Sequence, residues 1–124
     1  MVLNSLPREA RLTKSGEIRF VFRLGRRVDA KEIEIIWLPR KSNYQMRGRT
    51  TSRVCVVVGK RFVRIAARRN RLRRLAKEFF RLNKSRIDPQ VDIVVRISSC
   101  NLFNYKDLAR GLEIVFKKAG LISD

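Results

Sequence analysis

Between residues 60 and 81 the chain carries ten cations, Lys60, Arg61, Arg64, Arg68, Arg69, Arg71, Arg73, Arg74, Lys77 and Arg81, against one acid, Glu78. Most are arginines, whose planar guanidinium fork matches phosphate oxygens two at a time, whereas an ammonium is a point charge. Such clustering is the electrostatic footprint of a phosphate-binding surface. A merely solvated charged face is the plainer alternative. The same side chains argue against protein-borne catalysis. The sequence holds no histidine, which removes the commonest general base, the usual partner of a Ser or Cys nucleophile and most zinc sites. Its acids are scattered. The close pair Glu32 and Glu34 alternates with Ile33, Ile35 and Trp37, and so reads as the wet face of a strand before it reads as a carboxylate metal site. Cys55 and Cys100 sit in apolar contexts with no partner at metal-ligand spacing, as buried free thiols would. The expectation is therefore no catalytic residue and no metal site on the protein.

Composition sets the frame for these residues. A chain of 124 residues suits one domain, and its 44% hydrophobic content, spread in short runs, can supply one core. The 30 Lys and Arg against 11 Asp and Glu give a net charge of +19. So much like charge on a small body repels itself and implies a polyanionic partner. No run approaches the roughly 20 apolar residues needed to span a bilayer. Residues 1–11 lack the apolar stretch of a secretory signal, which points to the cytoplasm. A single RNA-binding domain over residues 1–124 is expected, with a short flexible N-terminal segment, residues 1–10.

Local patterning places the cations. Residues 13–24 bring Ile18, Val21, Phe22 and Leu24 to near-helical spacing, with Thr13 or Ser15 as N-cap and Gly25 as the stop. Residues 31–38 alternate as a strand around Ile33, Ile35 and Trp37, ended by Pro39. The polar stretch 40–52 reads as a loop. Residues 54–58 form a continuous apolar run, expected as a central strand buried on both faces. The basic helix, residues 65–83, would pack Ile65, Leu72, Leu75, Ala76, Phe79 and Leu82 inward, with Asn70, Arg73, Arg74, Lys77 and Arg81 opposite. After Pro89, residues 91–97 make another strand. Asn104 then caps a last helix whose inner stripe is Leu108, Leu112, Val115, Phe116 and Ala119. The order helix, strand, strand, helix, strand, helix suggests a small sheet with helices packed on it, an α+β or α/β sandwich.

The run Ala67-Arg68-Arg69-Asn70-Arg71-Leu72-Arg73-Arg74-Leu75, following a buried strand and Gly59-Lys60-Arg61-Phe62, resembles the signature of the bacterial ribonuclease P protein subunit. Further matches follow in order: Arg11-Leu12, Val21-Phe22-Arg23-Leu24-Gly25-Arg26, Lys77-Glu78-Phe79-Phe80-Arg81, Asp92-Ile93-Val94-Val95 and the final amphipathic helix. The resemblance covers nearly the whole chain. It implies a two-layer α/β sandwich with a left-handed crossover around the basic helix, against the usual hand. It also implies an accessory subunit of an endoribonuclease whose catalytic RNA, using Mg²⁺, removes the 5′ leader of precursor tRNA. Carried over residue by residue, Lys60, Arg61, Arg68, Arg69, Asn70, Arg71, Arg73, Arg74, Lys77 and Arg81 would bind the catalytic RNA. Arg11, Lys14, Ile18, Phe22 and Ile36 would line a cleft for the leader, where aromatic platforms beside cations suit sequence-tolerant binding of a single strand. Ile18 and Ile36 stand where much of the family has aromatics, and the linker 63–68 lacks the family's glycine. The free protein is expected to be monomeric, with no DNA or membrane partner. The alternative function is a non-catalytic ribosomal or RNA-chaperone protein. A helix-turn-helix DNA binder would need two consecutive helices, and a membrane-surface protein would need a free apolar helix face.

Overall fold

The segment Val91-Asp92-Ile93-Val94-Val95 offers a single polar side chain, the composition of a strand with no wet face, and the rest of the chain is arranged around it. The computed structural model describes residues 6, 10–30, 32–39, 52–87, 91–98 and 104–122. The elements are α1 (Ser15–Leu24), β1 (Arg26–Ala30), β2 (Ile33–Pro39), β3 (Arg53–Val58), α2 (Ala66–Leu82), a short 3₁₀ turn (Lys84–Arg86), β4 (Val91–Ile97) and α3 (Tyr105–Lys118). The strands form one sheet in the order β1-β2-β4-β3, in which β1 pairs with β2 and β2 with β4 antiparallel, while β3 and β4 run parallel. Parallel neighbours require a crossover, and α2 supplies it.

Period-two alternation divides the sheet between two cores. On one face, Ile33, Ile35 and Trp37 of β2, Ile93, Val95 and Ile97 of β4 and Val54, Val56 and Val58 of β3 pack with α2 and α3. Leu72, Ala76, Phe79 and Phe80 come from α2, Leu108, Leu112, Val115 and Phe116 from α3. Phe79 meets Phe116 edge-on, with ring centroids 5.8 Å apart, the favoured geometry for two aromatic quadrupoles. The other face is covered by α1. There Leu12, Val21, Ile36 and Val94 form a second, smaller cluster, with Ile18, Phe22, Leu38, Cys55 and Val57 packed partly against it.

Gly25 makes that second layer possible. A Cβ at this position would lie 2.5 Å from the Val21 carbonyl oxygen, 2.8 Å from Ile36 Cγ2 and 2.9 Å from the Trp37 carbonyl oxygen. Two of those neighbours are backbone and cannot yield cheaply. The helix therefore ends where the sequence places its stop, with the Gly25 N–H donating to the Val21 carbonyl at 2.7 Å, and the chain turns directly into β1.

The α+β class and the expected order hold, and the structure adds one strand, β1. Other expectations change. Lys14, with extended backbone and no side-chain cap bond, is the N-cap of α1, in place of Thr13 or Ser15. Glu17 in the first turn supplies the negative charge that helix end favours. Residues 54–58 are not central: β3 is the edge strand, alternating half-buried and buried, and β4 holds the middle. The apolar run there arises because Cys55 and Val57 pack partly against the smaller cluster while Val54, Val56 and Val58 enter the larger one. In α2 the buried stripe is rotated toward Phe80, leaving Leu82 53% exposed, and Ile65 is the N-cap, 53% exposed. Wedged between the sheet and α3, the helix buries the larger aromatic. Asn104 caps α3 as expected, its Oδ1 accepting from the Asp107 N–H at 2.8 Å. In the N-terminal segment expected to be flexible, Leu6 and Ala10 are buried. The rest of residues 1–9, the loop 40–51, Pro89 and Cys100 lie outside the described residues.

Gly25→Ala is expected to lose about 1–3 kcal/mol or more of stability by overpacking. Gly16→Ala, on the open side of α1 with nothing within 4 Å, should gain roughly 0.5–1 kcal/mol from helix propensity. Urea unfolding of the two variants measures the contrast.

Candidate nucleic-acid interface

A helix selected only for its own stability carries acids in its first turn, where the macrodipole is positive. α2 does the reverse. Its first turn holds no acid, its N-cap Ile65 makes no side-chain bond, and Arg68, Arg69 and Arg71 add their charge to the helix end. Lys60, Arg61 and Arg64 precede it, all exposed. Like charges from the β3–α2 turn and the helix thus gather on one surface, which an external polyanion would neutralise.

The residues expected there divide by their burial. Lys60, Arg61, Arg68, Asn70, Arg71 and Arg74 are exposed, while Arg69, Arg73, Lys77 and Arg81 are half-buried. Arg69 is turned inward, its Nη1 donating to the carbonyls of Val63 and Arg64, both at 2.9 Å, and so closes the turn onto the helix. Arg81 pairs with Glu78 through two bonds of 2.6 and 3.2 Å. Arg73 donates to Asn70 Oδ1 at 2.8 Å. The charges of Arg73 and Lys77 also reach Cys55, whose thiol pKa burial pushes up by more than those two cations pull it down.

A second surface lies between α1 and the uncovered part of the sheet. The Phe22 ring is half-buried, with the guanidinium carbons of Arg27 and Arg96 each 5.8 Å from its centroid, inside cation–π range. Arg27 Nη2 donates to the Phe22 carbonyl at 2.9 Å. Glu34 sits between the two arginines, 3.2 Å from Arg96 Nη1 and 3.5 Å from Arg27 Nη1. An aromatic ring flanked by cations is a platform for an unstacked base. Arg11 and Lys14 are exposed near the other end of α1, Arg11 bridging to Val54. Ile18 is half-buried against the smaller core cluster. Ile36 must be withdrawn from the expected contacts. It is fully buried under α1 at 0% exposure, so it can shape the cleft floor but touch no strand of RNA.

Sequence reasoning missed Arg27, Glu34 as an ordering group, Arg96 and Arg53. Arg96 had a signal: it shares the period-two face of Asp92 and Val94. Arg53 had none, since its partners are distant in sequence. Its Nε and Nη2 donate to Asp92 Oδ1 and Oδ2 at 2.9 and 2.8 Å, and its Nη1 donates to Glu17 Oε1 at 3.1 Å. The Arg53 and Asp92 side chains are only 12% and 9% exposed. The bonds to Asp92 raise the Arg53 pKa above its already high value. The bidentate pair joins β3 to β4, and the bond to Glu17 ties the first turn of α1 to them and sets where the helix lies over the sheet.

The sequence model of the family described as Ribonuclease P matches residues 6–120. The chain belongs to the ribonuclease P protein family. Curated ribonuclease P protein components similar to it include that of Clostridioides difficile, 35% identical over 113 residues covering 89% of this chain and 91% of that protein. That of Photorhabdus laumondii is 34% identical over 97 residues, 78% of this chain and 75% of its own length. The ribonuclease P protein of Thermotoga maritima superposes with a TM-score of 0.73 at 26% identity, over 87% of this chain and 96% of that one. The Staphylococcus aureus protein shares the fold with a TM-score of 0.78 at 21% identity, over 92% and 98% of the two chains. Among the described residues, no three His, Cys, Asp or Glu side chains gather as a metal cage, and no helix is long and apolar enough to cross a membrane.

Arg53→Ala removes the cation held against the buried Asp92 carboxylate, and is expected to destabilise the protein by about 3 kcal/mol. Replacing both partners by apolar residues, Arg53→Met with Asp92→Leu, should recover much of that loss. Chemical denaturation of the single and double variants tests both.

Proposed function

We propose that this protein acts as the accessory subunit of a ribonuclease P holoenzyme. The cationic surface of α2 and the turn before it grips the catalytic RNA, and the cleft beside Phe22 holds the single-stranded 5′ leader of precursor tRNA during endonucleolytic removal of the leader. The carrying observation is the N-terminal end of α2, where three arginines and no acid share the positive end of a helix whose opposite side is locked into the core. That arrangement opposes folding and favours a phosphate backbone. Family membership supports the assignment to tRNA 5′ maturation.

Division of labour follows from the side chains. Exposed Lys60, Arg61, Arg68, Arg71 and Arg74 neutralise phosphates, while Arg69 keeps the turn closed so that they stay together. Phe22 stacks one base, and Arg27 and Arg96 attract the neighbouring backbone. The Mg²⁺ used in leader removal is held mainly by the RNA. Lys14 and Arg11 extend the cationic track at the far end of α1. The protein works in the cytoplasm, as a monomer when free, without DNA or membrane partners.

The deciding experiment adds the protein to a bacterial ribonuclease P RNA at low Mg²⁺ and follows precursor-tRNA cleavage. A rise in cleavage, with none by rigorously RNA-free protein, is expected. Binding without stimulation would instead indicate a structural RNA-binding protein.

Each exposed arginine of α2 should contribute separately. Arg71→Ala and Arg74→Ala are expected to weaken binding to the catalytic RNA and to reduce the slope of log K against log salt by roughly one unit each, with unfolding unchanged. Unaltered slopes would exclude this face.

Phe22→Ala should weaken holoenzyme binding of precursor tRNA about fivefold or more, since one stacked base is worth roughly 1–3 kcal/mol. Affinity for mature tRNA should not change. Equal losses for both RNAs, together with a lowered melting temperature, would assign Phe22 to the core alone.

A further inference from the structure

Beside the Phe22 platform, a hollow of about 190 Å³ opens between the end of β3, the end of β4 and the turn leading to α2, lined by Glu34, Val57, Gly59, Phe62, Arg96 and Ser98. That volume can take one planar base. At the rim, Phe62 remains 47% exposed, an unusual place for a large aromatic in a chain that buries Phe79, Phe80 and Phe116. The ring is held by local structure. The Phe62 N–H donates to the Gly59 carbonyl at 3.2 Å, and a Cβ at residue 59 would already lie 3.2 Å from the ring. Glycine leaves the aromatic room to settle there.

The polar groups in the hollow are complementary to one base edge. Glu34 is an acceptor, oriented by Arg96 on one oxygen and Arg27 on the other, and each oxygen keeps a free lone-pair direction. Arg96 keeps N–H donors beyond the one it gives Glu34. A ligand must therefore present donors to the carboxylate and an acceptor to the guanidinium beside it. Guanine does so: N1–H and N2–H lie adjacent, with O6 next to them. Uracil offers one donor between two carbonyls that a carboxylate repels. Adenine and cytosine each offer the carboxylate one exocyclic amine, with a ring nitrogen beside it for Arg96, and so make one bond fewer than guanine.

We propose that this hollow is a base-reading subsite that selects guanine in single-stranded RNA, with Phe62 as its stacking platform, Glu34 accepting from N1–H and N2–H, and Arg96 donating to O6. The proposal deepens the leader assignment and rests on it only for the source of the strand. In that setting, a holoenzyme whose cleft is otherwise sequence-tolerant acquires a preference at one leader position.

The test titrates the full-length protein, at one fixed salt concentration, with the pentaribonucleotides UUGUU, UUAUU, UUCUU and UUUUU. The guanine oligomer is expected to bind roughly tenfold more tightly than UUUUU, as for a bidentate base contact. Glu34→Gln should collapse that ratio toward one. Phe62→Ala, at an exposed position that leaves the core intact, should weaken all four oligomers alike. Equal binding of the four by the unmodified protein, or a ratio that survives Glu34→Gln, would overturn the subsite. In parallel, holoenzyme affinities for precursor and mature tRNA test the leader assignment itself. Guanine selection without a precursor preference would retain the subsite and reject the leader as its strand. Precursor preference with no base selection would do the opposite.

Discussion

Burial of β4 on both faces is the constraint from which the rest of the structure follows. A strand reading Val-Asp-Ile-Val-Val has apolar groups at both periods, so it cannot lie at the surface. Covering one side with α2 and α3 leaves Val94 and Ile36 to be covered from the other, which obliges α1 to lie across the sheet. The close approach at Gly25 and the bond from Arg53 to Glu17 then fix where it lies. Because α1 is a single helix of ten residues, it cannot cover the whole face. The remainder is the cleft in which Phe22, Arg27, Glu34 and Arg96 stand.

Both candidate surfaces are therefore products of core packing. α2 bridges the parallel pair β3 and β4, and its apolar stripe anchors it so firmly that the opposite side can tolerate repelling charge. That repulsion is offset by the burial of Leu72, Ala76, Phe79 and Phe80, since burying a large apolar side chain contributes roughly 1.5–3 kcal/mol and exposed charge pairs a few tenths. The ion pairs show the same division. Arg53–Asp92 is enclosed and structural. Arg86–Glu113 and Lys117–Glu113 are exposed pairs at 2.7 and 3.3 Å that steady the outer surface of α3, where the arginine and lysine hold the Glu113 pKa below its ordinary value.

Chemistry within the cleft depends on a carboxylate placed among arginines. Without Glu34, Arg27 and Arg96 would repel each other beside Phe22. With it they form an ordered row on either side of the ring, and the acceptor left on Glu34 faces the hollow under Phe62. A purely basic cleft attracts any phosphate backbone; an acid inside it can also distinguish the bases that backbone carries.

Composition and short-range pattern alone determined the class of partner, the exclusion of histidine chemistry, the α+β order, the Gly25 stop, the Asn104 cap and the basic helix. These follow from properties local to a few residues: charge density, periodicity and backbone conformation. Tertiary structure decided the rest. That residues 53–58 form an edge strand depends on β4 inserting beside β2, a pairing between segments far apart in the chain that leaves no local trace. Ile36 is expected in the cleft only from the family resemblance, yet Gly25 lets α1 come close enough to bury it. Phe80 takes the core position expected of Leu82 because the packing of α2 against the sheet and α3 turns its buried stripe toward Phe80 and leaves Leu82 exposed. The links from Arg53 to Glu17 and Asp92, and from Glu34 to Arg27 and Arg96, are contacts between side chains far apart or on different strands. Only the folded register brings their opposite charges within hydrogen-bonding distance.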